Sequence, residues 1–114
     1  MDIRKRSYSF ALRVIDLTES LPSDRTCKVI GDQLLRSGTS IGANIVEAQA
    51  GSSRKDFSNF LSHALKSANE TKFWLELLRD AGKKSDGVIN PLLEEAKELS
   101  NILASSIITL KKER

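Results

Sequence analysis

Apolar residues recur at helical spacing along almost the whole chain, and no stretch sustains the two-residue alternation of a half-buried strand. Breakers fall at Leu21-Pro22-Ser23-Asp24, at Gly51-Ser52-Ser53 and between Gly82 and Pro91, leaving four stretches. In the first, Ile3, Ser7, Phe10, Val14, Leu17 and Leu21 lie alternately four and three residues apart, with Ala11 beside them. Pro22 ends this helix by forcing Leu21 out of helical backbone. The second opens after Ser23 or Asp24, both good N-caps, and lines up Ile30, Leu34, Gly38, Ile41, Ile45 and Ala48. Gly31, Gly38 and Gly42 each cost about 1 kcal/mol against alanine in a helix, yet the period runs through them. One continuous helix is expected there, with small residues that admit a neighbouring backbone.

The third stretch starts at Ser53, with Asp56 three residues on, and carries Phe57, Phe60, Leu61, Ala64, Ala68, Thr71, Leu75 and Leu78 to a C′ glycine at Gly82. The fourth is expected to begin at Asn90-Pro91, with asparagine as cap and proline in the first helical position; its stripe is Leu92, Ala96, Leu99, Leu103, Ile107 and Leu110. Four amphipathic helices on short connections predict an all-α fold, an up-down-up-down antiparallel four-helix bundle forming one domain over 1–114.

Composition narrows the function. A single cysteine, Cys27, excludes an internal disulfide and a multi-cysteine zinc site and suits a reducing compartment. No run approaches the ~18 apolar residues of a membrane span, and Met1-Asp2-Ile3-Arg4-Lys5-Arg6 leads into no apolar leader segment, so a cytoplasmic protein without a membrane contact is expected. The balance of 18 Lys and Arg against 15 Asp and Glu is only +3, so charge placement matters more than charge excess.

Two features exceed what the stripes require. Phe73, Trp74 and Leu77 point roughly 100–200° away from the core stripe of the third helix. Either a long neighbour covers them or they form a subunit interface, as exposed apolar patches do. In the second helix Arg36, Ser40, Asn44 and Glu47 fall within roughly 80° of arc, among small neighbours, with Glu70 of the third helix as a further partner. A close-packed polar network fixing helix register accounts for this set; a ligand site and a solvated face are the alternatives.

The segment Arg36-Ser37-Gly38-Thr39-Ser40-Ile41-Gly42-Ala43-Asn44-Ile45-Val46-Glu47-Ala48 resembles the signature of the four helix bundle proteins also called 23S rRNA-intervening-sequence proteins. The likeness continues through Ser53-Arg54-Lys55-Asp56-Phe57 and through Glu70-Thr71-Lys72-Phe73-Trp74-Leu75-Glu76-Leu77-Leu78. The resemblance implies a four-helix-bundle protomer, a ring-shaped homopentamer and no known enzymatic activity. It also implies a relation in fold to the accessory variability determinant proteins of diversity-generating retroelements, which are strongly basic and work with nucleic acid.

The residues themselves offer little for catalysis. His63 is the only histidine and no Glu-x-x-His pair exists, so a dinuclear metal site lacks ligands; no metal, cofactor or catalytic residue is expected. Pairing of His63 with Ser67 or Cys27 has no supporting spacing, and no glycine loop is followed by the Lys-Ser/Thr of a phosphate cradle. Charge is more informative. An up-down-up-down bundle would gather Arg4-Lys5-Arg6, Arg54-Lys55 and Lys111-Lys112-Arg114 at one end, a positive field suited to phosphate backbones. Solvated helix termini account for the same charges, and no aromatic cluster adjoins them for base stacking. The expected function is a non-enzymatic, homo-oligomeric protein that binds structured RNA or DNA, or scaffolds it. A protein-interaction subunit with no nucleic-acid contact is the alternative.

Overall fold

The computed structural model describes residues 2–113. Four helices, α1 (Ile3–Glu19), α2 (Arg25–Ala50), α3 (Arg54–Asp80) and α4 (Asp86–Lys112), alternate in direction. Each packs on the next in sequence and α4 closes against α1, forming the predicted bundle, 48 × 22 × 20 Å. No helix among the described residues is long and apolar enough to cross a membrane.

Local chemistry explains the boundaries. The Asp24 carboxylate accepts from the Cys27 N–H at 2.8 Å, the Ser53 hydroxyl from the Asp56 N–H at 3.1 Å, and the Asp2 carboxylate from the Lys5 N–H at 2.8 Å, each satisfying an orphan donor of a first turn. Gly82 takes φ +70° after α3, so that Lys83 N–H reaches the Leu78 carbonyl and Gly82 N–H the Arg79 carbonyl, closing the helix end. The expected start of α4 at Asn90-Pro91 is corrected: the helix begins at Asp86, and Pro91 lies inside it. The added turn carries Ile89, fully buried, so packing holds it; Pro91 forfeits only the bond to the Gly87 carbonyl in an exposed first turn.

Core positions follow the apolar stripes. Phe10 and Val14 of α1, Leu34, Ile41 and Ile45 of α2, Leu75 and Leu78 of α3 and Leu99 and Leu103 of α4 are essentially inaccessible. The glycines of α2 are the reason α1 lies so close: a Cβ on Gly38 would stand 2.9 Å from both methyls of Val14, and one on Gly42 would stand 3.2 Å from Ser7 Oγ.

One dimension of the fold matters for function. Helix α1 has 17 residues against 26 and 27 in the others, making it about 14 Å shorter at 1.5 Å per residue. Because α1 turns directly into α2 at one end of the bundle, the shortfall falls at the other.

Candidate nucleic-acid and subunit interfaces

The polar stripe of α2 meets α3, but in two layers. In the buried layer Thr71 Oγ1 donates to the Ser67 carbonyl at 2.7 Å and lies 3.0 Å from Ser37 Oγ, with both residues inaccessible. At its margin the Ser40 and Ser67 hydroxyls share a hydrogen bond of 2.7 Å, and Asn44 Nδ2 donates to the Ser40 carbonyl at 2.8 Å. The outer layer is charged: Arg36 pairs with Glu70 and donates to Gln33 Oε1 at 3.0 Å, while Trp74 Nε1 donates to Glu70 at 3.0 Å. Arg36 is 59% exposed, so the ion pair is a surface feature and not the close-packed charge expected from its small neighbours. Glu47 is exposed and has no hydrogen-bond partner among the described residues. Ser37, Ser67 and Thr71, which the sequence reading left out of the network, form its buried part. Every buried side-chain polar atom among the described residues has a partner, which is how such a network fixes the α2–α3 register without an unpaired group.

The expected basic end is divided by the shortness of α1. Arg6 makes a two-pronged contact with Glu95 of α4, at 2.6 and 3.1 Å, and a further one with Glu98 at 3.0 Å. Lys111 lies 13 residues beyond Glu98, about 20 Å along the helix. Arg4, Lys5 and Arg6 therefore sit on a shelf partway along the bundle and do not join the other cations. At the end itself α3 and α4 do meet: Arg54 donates to Glu113 at 2.9 Å, and Lys55, Lys111 and Lys112 are exposed with no ion pair among the described residues. Arg114, the eighth cation of the expected set, lies outside the described residues.

The hydrogen bond from Arg6, reinforced by its charge, holds the Glu95 carboxyl below the usual carboxylate range, and Glu95 in turn raises Arg6. A depressed carboxylate stabilises the fold above its unfolded pKa of ~4.3, and the contribution disappears as pH falls through the lower native value. Arg6→Ala is accordingly expected to lose about 1–2 kcal/mol at pH 7, a loss that shrinks as the pH is lowered below ~4.3, measured by urea unfolding across a pH series.

Of the apolar side chains that face solvent, two groups bear on association. Late in α3, Phe73 is 53% and Leu77 37% exposed, whereas Trp74 is half-buried against the core; the Phe73 ring stands edge-on to Trp74 at 5.1 Å between centroids. The second surface has no counterpart in the sequence reading. Between α1 and α2 runs a groove of about 680 Å³, lined by Tyr8 and Ala11 of α1 and by Gly42, Ala43 and Val46 of α2, with Asp2, Arg4 and Lys5 also along it. Tyr8 is 67% exposed. The signal was present: Tyr8, Ala11, Leu12 and Ile15 form a second stripe at helical spacing beside the core seam of α1.

The remaining chemistry-bearing groups lie apart. His63 is exposed against Phe60, while Cys27 is buried in the first turn of α2, its thiol pushed up by burial and by the Asp24 carboxylate beside it. No group of three His, Cys, Asp or Glu residues able to hold a metal ion occurs among the described residues.

Comparison with known proteins accords with this architecture. Curated protein sequences yield no match. A solved structure from Bacteroides thetaiotaomicron VPI-5482, described as a protein of unknown function from the S23 ribosomal protein family, superposes with a TM-score of 0.88 at 40% identity, covering 93% of this chain and 98% of that one. The profile of the 23S rRNA-intervening sequence proteins matches residues 1–105, and the chain belongs to that family.

Proposed function

We propose that this protein is a non-enzymatic, self-associating bundle that binds structured RNA through the phosphate backbone. The observation that carries the RNA contact is the cluster of Lys55, Lys111 and Lys112 at the α3–α4 end, exposed and unpaired among the described residues while neighbouring Arg54 is held by Glu113. Each such cation can displace a condensed counterion from a phosphate, giving affinity without sequence readout. Self-association, into a ring of identical protomers, draws on the exposed Phe73 and Leu77 and repeats the lysine cluster once per copy. The place of the Bacteroides relative in the S23 ribosomal protein family supports an RNA partner. Arg36, Ser40 and Asn44 of the α2 stripe are engaged by neighbouring groups, which favours a structural role for them over catalysis.

The test is an electrophoretic shift with duplex ribosomal RNA fragments at 50 and 200 mM salt, alongside the oligomer mass by light scattering. Binding that weakens steeply with salt is expected. No binding at 50 mM, or binding indifferent to salt, rejects the RNA contact; a nuclease-insensitive protein partner recovered at fixed stoichiometry would then favour a subunit of a larger protein complex. A monomer at micromolar concentration rejects self-association.

A further inference from the structure

The self-association proposed above leaves open which surfaces meet, and among the exposed apolar surfaces of the structure two are complementary in shape and charge. One is convex: Phe73, braced edge-on by Trp74, with Leu77 a turn further along α3. The other is the concave groove between α1 and α2, whose floor is small because Gly42 lets α1 approach until Ser7 Oγ lies 3.2 Å from where a Cβ would stand. Their flanking charges are complementary. Glu76 is exposed beside Phe73 and Leu77 with no ion pair among the described residues, and Asp80 is 66% exposed one turn beyond, answered only by Arg79. Along the groove Arg4 and Lys5 are exposed, also without an ion pair among the described residues, while Asp2, which lines it too, is engaged at the start of α1, accepting from Lys5 N–H at 2.8 Å. The two surfaces belong to different helices and cannot meet within one protomer, since α3 packs against α2 and α4 while the groove opens between α1 and α2.

We propose that the α1–α2 groove is the receptor for a second copy of this chain, taking Phe73 and Leu77 of that copy against Tyr8, Ala43 and Val46, with Glu76 and Asp80 facing Arg4 and Lys5. Rest and partner surfaces are then different patches, so the contact is head-to-tail: every protomer offers one knob and one groove, and copies add in one direction until a ring closes. This rests on the self-association reading and deepens it by naming the surface that receives Phe73 and Leu77; Phe73 patches meeting face to face would also hide the aromatic side chain but would stop at two copies.

Complementation separates these arrangements. One variant, Phe73→Asp with Leu77→Asp, loses the knob and keeps the groove. The other, Ala43→Arg, fills the groove and keeps the knob; Val46→Glu serves as a second groove variant. All four positions are exposed, and circular dichroism checks that the helices persist. The wild type is expected to be larger than a dimer by light scattering, and each variant alone to be a monomer of 12.6 kDa. An equimolar mixture of knob and groove variants is expected to give a species of twice that mass and no larger, because one intact knob meets one intact groove and neither free end can continue. Groove variants that assemble like the wild type overturn this pairing while leaving self-association standing, and so does a mixture that stays monomeric. A monomeric wild type removes both.

Discussion

Gly38→Leu is expected to destabilise the bundle by about 3 kcal/mol or more, a large share of the ~5–15 kcal/mol that holds a domain of this size together. The smaller change, Gly38→Ala, sets two effects against each other. Alanine gains about 1 kcal/mol in helix propensity. Its Cβ, however, would stand 2.9 Å from both Val14 methyls, and Val14 is fully buried and stiff about χ1 within its own helix, so it cannot swing aside. Overpacking of that kind costs about 1–3 kcal/mol, so steric crowding wins and Gly38→Ala is expected to be destabilising by about 1 kcal/mol. In a Val14→Ala background the obstructing methyls are gone and only the Cβ of residue 14, 3.3 Å away, remains, so the same substitution is expected to be less destabilising by about 1 kcal/mol. A double-mutant cycle by urea unfolding reads this coupling directly. Stabilisation by Gly38→Ala in the otherwise unaltered protein would show that α1 can shift away at no cost, and the groove it walls would then be less fixed than its geometry indicates.

That close approach was legible as small residues on the core face of a helix, and so was most of the architecture. The 4-3 seams marked four helices, Ser23 or Asp24 and Ser53 the starts of the second and third, and Gly82 the close of the third. Local signals were less decisive where tertiary packing overrode them. Asn90-Pro91 has the composition of a helix start, yet Ile89 just ahead of it is drawn into the core and carries the helix back to Asp86. The surface was harder to read, because a bundle's topology says which ends meet and not how far each helix reaches. The caps at Asp2 and Ser20 bound the first helix at 17 residues, and that length places Arg6 against Glu95 and Glu98 when topology alone would send it to the end of the bundle. Arg36 and Glu70 pair in the structure, but their depth depends on side-chain length: both reach past the small residues around them to the surface, leaving Ser37, Ser67 and Thr71 to fill the buried layer. Phe73 and Leu77 were flagged by angle alone, while Trp74, at a similar angle, folds back through its hydrogen bond to Glu70 and is half-buried.

The division of the cations makes a quantitative claim about RNA binding. Replacing Lys55, Lys111 and Lys112 together by alanine is expected to weaken duplex binding roughly 100-fold or more near 0.1 M salt. The logarithmic salt slope is expected to become shallower by about 2–3 for each protomer that touches the RNA, since each phosphate contact releases roughly 0.7–0.9 of a counterion. Arg6→Ala should leave that slope unchanged, because its guanidinium is already committed to two carboxylates. Arg4 and Lys5 provide the sharper contrast. They are as exposed as the three lysines, so a rule based on exposure alone gives them an equal share of the slope. If they are engaged by Glu76 and Asp80 of a neighbouring copy, Arg4→Ala with Lys5→Ala lowers the oligomer mass first and alters the slope only through the copies lost. A full reduction in slope from the Arg4 and Lys5 pair, at unchanged mass and with none from the three lysines, would place the nucleic acid along α1 and detach it from the α3–α4 end.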